Sequence, residues 1–493
     1  MSVRPREVHM TERATVLETV ETPETAPTTA HDPQTPPALV EFMCRDWATP
    51  PRDGTKPIEG ARFFHARRRA ISQRFPGETL IVPTGHEKIR ANDTAYRFRP
   101  GTDFYYLTGN TEADCVLVMV PQAGGGHRDV LYVEPNPGKT DATFFTNREK
   151  GELWVGPRFG VEESRARYAV DEARPLKELD GTLDTLLQGG GEWRVRREAD
   201  GAIDARLPEQ SQRDAELATA LSEMRLIKDD FEVTQLEKAI AATRNAFDDI
   251  LRRLPDLRKE REVEGLFNLR ARTDGNDVGY DTIAAAGAHA CTLHWTRNDG
   301  ALRDGELLLI DAGVEAESLY TADITRTFPI GGRFTNEQRE VYDLVLAAQR
   351  AAFAECKPGN DFLEPNRAAM RVFASGLERM GILRDSEDAL KEEHQFYRRY
   401  TLHGVSHMLG LDVHDCSAAR KENYRHGKLA PGMVLTIEPG LYFQPDDLTV
   451  PERYRGIGVR IEDDVLITPD GHRVLSAEIP RDRDAVERWV KRA

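Results

Sequence analysis

Three histidines fall within twelve residues in the stretch TLHGVSHMLGLDVHD (401–415): His403, His407 and His414. Four carboxylates stand elsewhere at the edges of apolar runs: Asp311 in LLLIDAG, Asp323 in ADITRTFP, Glu438 in TIEPGLYF and Glu462 in GVRIEDD. Each acid alone reads as a turn residue or an ion-pair partner. A carboxylate ending a buried run is costly unless it is paired or bound to metal, so four of them together ask for cations. Two divalent ions would balance Asp311, Asp323, Glu438 and Glu462, with His407 as a neutral imidazole ligand. Without metal the cluster would repel and its pKa values would rise. Oxygen-dominated ligation favours Mn²⁺, with Zn²⁺ and Co²⁺ as alternatives. Two such ions can share a hydroxide made at neutral pH, polarise a carbonyl and stabilise an oxyanion, which is the chemistry of hydrolysis.

Alternation sets the expected directions of these side chains. In ADITRTFP, Asp323, Thr325 and Thr327 share one parity while Ile324 and Phe328 take the other. In GVRIEDD, Arg460, Glu462 and Asp464 share a face opposite Val459 and Ile461. LDVHD reads as strand-like, with Asp412 and His414 on one side, and His294 falls in TLHWT, also read as a strand. Gly404 and Gly410 make the rest of the histidine stretch an irregular loop. Around these segments, Leu236, Ile240, Phe247, Ile250 and Leu254 keep one face of a helix that Asp229 or Asp230 can cap. Two further helices run through EQREVYDLVLAAQRAAFAEC and RAAMRVFASGLERMG, and Asp470-Gly471 marks a hairpin turn.

Upstream, ARFFHARRRAISQRF reads as a helix, and TLIVP, DCVLVMV and DVLYVEP as strands of a smaller α/β domain. Its glycine run at Gly124-Gly125-Gly126 lacks the lysine and hydroxyl of a phosphate-cradling loop. ELWVGPRFG continues the α/β alternation. Residues 1–55, rich in Thr, Glu and Pro, cannot bury enough surface to offset their ordering entropy and are expected to be disordered. The expected division is therefore an extension over 1–55, an α/β domain over 56–225 and the metal-bearing domain over 226–493.

The 493 residues carry a formal net charge of −16, which disfavours general affinity for nucleic acid or anionic membrane. No apolar run approaches the length of a membrane span. Five cysteines, odd in number and without a CxxC pair, argue for a reducing compartment, and the cytoplasm is the expectation.

In their order along the chain, DAG, DITRTFP, HGVSHMLGLDVHD, TIEPGLYF and RGIGVRIEDD resemble the metallopeptidase family that includes Xaa-Pro aminopeptidase (aminopeptidase P) and prolidase. YRFRPGTDFYYLTG looks like the N-terminal domain of aminopeptidase P. The resemblance, over roughly residues 60–480, implies an α/β (α+β) fold: a pita-bread catalytic domain of two pseudo-symmetric halves, preceded by a smaller α/β domain. It implies that Asp311 chelates one metal, that Asp323 and Glu462 bridge both, and that His407 and Glu438 complete the other. Glu438 would also shuttle protons. His403, His414 and His294 match catalytic or substrate-binding histidines, and Arg460 and Tyr442 match positions near the metals. The implied reaction is cleavage between an N-terminal residue and a following proline, by a dimer or tetramer acting on peptides. Prolidase, confined to Xaa-Pro dipeptides, and a metal-free pita-bread binding module are the competing readings. One departure stands out: Asp311 and Asp323 lie twelve apart where the family usually has eleven, so a longer turn or a β-bulge must absorb one residue.

Overall fold

The computed structural model describes residues 35–48, 55–92 and 94–492. These residues divide into two compact units, one of residues 35–48 and 136–158, the other of residues 55–92, 94–135 and 159–492. In the smaller unit Pro37–Met43 form a helix, which corrects the expectation of disorder over that stretch. Proline at its start is pre-set for the helical φ, and the Trp47 indole donates to the Met43 carbonyl at 2.6 Å while its ring meets Phe145 at 6.1 Å. Residues 1–34 and 49–54 of the expected disordered extension lie outside the described residues. Glu152–Val155, in the ELWVG segment, is a single helical turn closed by Gly156.

The larger unit begins with helix α1 (Ala61–Arg74), strand β1 (Thr79–Pro83), helix α2 (Thr102–Thr108) and strands β2 (Val116–Pro121), β3 (His127–Val133), β4 (Glu172–Pro175) and β5 (Trp193–Val195). The strands form one mixed sheet in the order β4-β3-β2-β1-β5, antiparallel in its centre and parallel at both edges. Helix α3 (Ser211–Arg225) leads to α4 (Asp230–Arg253), whose N-terminus Asp229 closes with a capping box to Glu232.

Two halves then repeat one order of elements. The first is α4 and α5 (Glu260–Asp274), followed by β6 (Ile283–Ala286), β7 (Leu307–Ala312) and β8 (Ile324–Pro329), an antiparallel sheet in the order β8-β7-β6. The second is α6 (Asn336–Glu355) and α7 (Glu364–Arg379), followed by β9 (Val434–Ile437), β10 (Gly440–Tyr442), β11 (Gly458–Arg460), β12 (Asp463–Thr468) and β13 (Gly471–Val474). Its sheet runs β9-β12-β13, with β10 and β11 as a separate pair. The two-halved architecture expected from sequence is present. One core joins both halves, from Phe247 and Phe267 through Phe328 and Tyr342 to Phe373 and Val459, all fully buried. Among the described residues no helix is long and apolar enough to cross a membrane.

Three local expectations are corrected. The segment holding His294 follows a short 3-10 helix (Gly287–Cys291) as a turn, and LDVHD is likewise a turn. Neither segment pairs with a strand among the described residues, and five residues of alternation make no strand without ladder hydrogen bonds. The last hairpin turns on Pro469-Asp470, with Gly471 already paired to Thr468.

The extra residue between Asp311 and Asp323 sits in the turn. Asp311 pairs with Thr325 and Ala312 with Ile324, and the same register continues through the Ala322 N–H to the Val314 carbonyl (3.2 Å) and the Glu315–Thr321 bridge. No bulge interrupts it. The chain reverses over 316–320, with Leu319 in the left-handed region at φ +63°. Gly313 is needed where the strands cross: a Cβ there would lie 1.7 Å from the Ala322 carbonyl oxygen.

Candidate metal centre

Strand pairing carries the acids inward from both halves. Asp311 is the last residue but one of β7, Asp323 precedes β8, Glu438 follows β9, and Glu462 lies between β11 and β12. The histidine loop lies along β9: the Thr436 N–H donates to the His407 carbonyl and the Glu438 N–H to the Val405 carbonyl, both at 2.9 Å. His407 and Glu438 are thereby held side by side.

The donor atoms of Asp323, His407 and Glu462 lie within 4.8 Å of one another. His407 Nε2 is 3.3 Å from Asp323 and 3.4 Å from Glu438, and His403 Nδ1 is 3.4 Å from the other Glu438 oxygen. Asp311 is outside the tight trio. Its Oδ2 accepts from Arg460 Nη2 at 2.5 Å, and its Oδ1 lies 2.7 Å from the Tyr280 hydroxyl, which also touches Asp323. All five line one cavity of about 530 Å³, together with His294, His403, His414 and Arg460. Asp311, Asp323, Arg460 and Glu462 are buried, His403 and His407 half-buried, and His294 and His414 exposed. Tyr442 sits behind the wall: Arg460 Nη1 donates to its hydroxyl at 2.9 Å, and that hydroxyl lies 2.8 Å from His403 Nε2.

Hydrogen bonds fix both imidazoles. His407 Nδ1–H donates to the Met408 carbonyl at 3.1 Å, which leaves Nε2 facing the carboxylates. His403 Nδ1–H donates to the Gly404 carbonyl at 2.8 Å, so its Nε2 accepts from Tyr442. Burial, with the Arg460 charge, lowers the His403 pKa to about 4, so it is neutral at pH 7. Burial also disfavours the His407 cation, but the hydrogen bond to Asp323 and the charge of Glu438 outweigh it and lift its pKa to about 9. Burial raises Glu438 to about 7 against the opposing pull of His407. Glu462 is pushed well above the carboxylate range by burial and by Asp323, Glu438 and Asp311, and Asp311 is raised by burial despite Arg460.

Buried carboxylates that hold protons beside an oriented imidazole fit a divalent-cation site, and carboxylate–imidazole donors suit Mn²⁺, Zn²⁺ or Co²⁺. Cation and protons then compete. Divalent affinity of the metal-free protein is expected to rise between about pH 7 and about pH 9, as Glu438 and then His407 give up protons. Calorimetric titration with Mn²⁺ across that range reads the slope, and a flat affinity would contradict the arrangement.

Four supporting residues escaped sequence reasoning. The Tyr280 hydroxyl joins Asp311 to Asp323; Thr325 Oγ1 donates to Glu462 at 2.6 Å; Asp464 accepts from the Asp323 N–H at 3.2 Å; Arg326 braces the Glu462 carbonyl. Thr325 and Asp464 shared the right parity with the acids, but parity names a face and not a partner.

The pattern of metallopeptidase family M24 matches residues 234–469, and that of the aminopeptidase P N-terminal domain matches residues 64–195. The chain is 49% identical over 456 residues to Xaa-Pro aminopeptidase 1 of Streptomyces coelicolor, covering 92% of this chain and 91% of that one. Proline aminopeptidase P II from Yersinia pestis superposes with a TM-score of 0.78 at 35% identity, over 88% of this chain and 100% of that one. Zinc-substituted Escherichia coli aminopeptidase P, solved with product, gives 0.78 at 33%, over 89% and 99%. With such relatives along nearly its whole length, the chain belongs to metallopeptidase family M24 and carries the aminopeptidase P N-terminal domain ahead of its catalytic domain.

Proposed function

We infer that this protein is a metal-dependent exopeptidase that releases the N-terminal residue from peptides with proline in second place. The observation that carries the reading is the convergence of Asp323, His407 and Glu462 within 4.8 Å on the wall of a cavity open to peptide, in a member of a metallopeptidase family. Asp311, Asp323, His407, Glu438 and Glu462 hold two divalent ions, with Mn²⁺ first among them and Zn²⁺ or Co²⁺ able to replace it. Bound there, the ions supply Lewis acidity for activating water and polarising the scissile carbonyl.

The chain's own groups do the rest. Glu438, beside His407 on the cavity wall, takes a proton from the attacking water and returns it to the departing proline nitrogen. Neutral His403, its two ring nitrogens engaged by the Gly404 carbonyl and the Tyr442 hydroxyl, shapes the substrate cavity as an uncharged wall, and the exposed His294 and His414 donate to the substrate's carbonyl groups and backbone. Arg460 balances Asp311 and fixes Tyr442. Ile283, Leu293 and Val413 offer an apolar wall for the pyrrolidine ring. Residues 56–225 form the amino-terminal domain and 226–493 the catalytic domain; the protein works in the cytoplasm as a dimer or tetramer, which sedimentation would size.

Turnover of an Xaa-Pro-Xaa tripeptide by metal-stripped protein tests the reading. Activity is expected to vanish on stripping and to return with Mn²⁺; turnover indifferent to metal sinks it. An Xaa-Pro dipeptide assayed alongside separates prolidase, since cleavage of the dipeptide alone would reverse the assignment.

A further inference from the structure

The segment RPGTD (99–103) has no task in the chemistry above, yet its side chains grip the two segments that carry the metal site. Arg99 Nε donates to Glu315 at 2.7 Å, in the hairpin that joins Asp311 to Asp323. The same guanidinium donates through Nη2 to the Leu411 carbonyl at 2.6 Å, and the Thr102 hydroxyl donates to Asp412 at 2.8 Å. Asp103, the next residue, accepts from Arg196 and Arg225. Arg225 turns its Nε to Asp415 at 2.9 Å, and the buried Lys228 ammonium reaches the other Asp415 oxygen at 3.3 Å. Asp415 is 1% exposed.

What Asp415 holds is close to the metal site. Its backbone N–H donates to the Met408 carbonyl at 3.0 Å, the same oxygen that accepts from His407 Nδ1. Its neighbour His414 meets the His407 ring edge-on, with centroids 4.5 Å apart. Gly410 leaves the carboxylate room, since a Cβ there would come within 2.1 Å of Asp415 Oδ2. Burying Arg225, Lys228, Asp103 and Asp415 together is costly, and apolar residues could cement the junction at least as well. The ionic clamp does what packing alone does less sharply: by gripping both carboxylate oxygens of Asp415 it fixes the backbone there, and so the N–H that aims the Met408 carbonyl on which the His407 tautomer and ring plane depend.

We propose that Asp415, clamped by Arg225 and Lys228 and braced from outside by Arg99 and Thr102, is a positioning residue for His407 and His414. The amino-terminal domain is thereby part of the catalytic apparatus. This inference rests on the reading of His407 as a metal ligand.

The test uses the full chain with Asp415→Asn, together with Gly410→Ala and Arg99→Met, which leave the Asp415 charge in place. Each variant is titrated, metal-stripped, with Mn²⁺ alone; its Co²⁺ form is examined by visible absorption; kcat and KM are measured on a tripeptide. Mn²⁺ affinity and kcat are each expected to fall by roughly 10–100-fold in folded Asp415→Asn, with KM little changed and the Co²⁺ band altered. Should that variant not fold, Gly410→Ala and Arg99→Met are held to the same direction of change. Wild-type Mn²⁺ affinity, kcat and Co²⁺ spectrum in a folded variant overturn the proposal. His407→Ala separates the two readings. If it weakens Mn²⁺ binding and the clamp variants do not, only the clamp falls; if it binds Mn²⁺ as wild type does, both fall.

Discussion

Glu438→Ala is expected to lower kcat by at least about 10³-fold, combining the loss of a ligand with the loss of the group poised to move the proton. Glu438→Gln, which keeps the volume but not the charge, should lose nearly as much. Both should stay folded, because Glu438 is half-buried at the cavity wall and its backbone N–H, which either substitution keeps, holds the strand to the histidine loop at the Val405 carbonyl. Steady-state rates on a tripeptide, with circular dichroism as the folding control, decide the matter; substantial residual turnover would contradict the assigned role.

The same residue sets the sign of a pH effect on the metal-free protein. Burial raises the folded-state pKa of Glu438 to about 7, above an unfolded value of about 4.3. Its contribution to stability is therefore complete below about pH 4.3 and is lost as the pH climbs through about 7. The Tm of stripped wild-type protein should fall over that interval, Glu438→Gln should fall less, and Mn²⁺ should reverse the loss.

Arg326→Met is expected to destabilise the protein by about 3–5 kcal/mol, lowering Tm by roughly 5–15 °C. The Arg326 guanidinium is wholly buried in the core behind Glu462. It donates to Pro480 O (2.7 Å), Thr325 O (2.9 Å), Ile479 O (3.0 Å), Asp463 Oδ1 (2.7 Å) and Glu462 O (2.5 Å). Methionine fills the space but leaves the Pro480, Ile479 and Glu462 carbonyls without this donor and the buried Asp463 charge with the more distant Arg481 at 3.6 Å, while the Thr325 carbonyl keeps the Glu462 N–H at 3.1 Å. Ser476 and Gln349 still donate to Asp463, so the charge keeps partial cover. Because the Glu462 carbonyl is among the orphans, Mn²⁺ affinity should fall as well. Arg326→Lys keeps the charge without the fork and should lie between. Thermal unfolding of the metal-free proteins measures the effect, and an unchanged Tm would contradict it.

From sequence alone came the acids and their faces. A carboxylate closing an apolar run has few affordable fates in a folded core, and a period of two gives its side of the sheet. Asp311, Asp323, His407, Glu438 and Glu462 were readable on those grounds and through resemblance, as were the helices, whose periodicity and caps are local: Asp229 caps α4 as its neighbours demand. The turns holding His294 and His414 were not readable, because a short alternation becomes a strand only when another edge offers its hydrogen bonds. Nor did the chain's order reveal that the residue added between Asp311 and Asp323 leaves the β7–β8 register intact; pairing along that hairpin decided it. Tyr280, Arg326, Asp415 and Asp464 gain their meaning from partners between 31 and 190 positions away. Spacing along a chain carries no record of such meetings, since they exist only once the two halves and the amino-terminal domain have packed together.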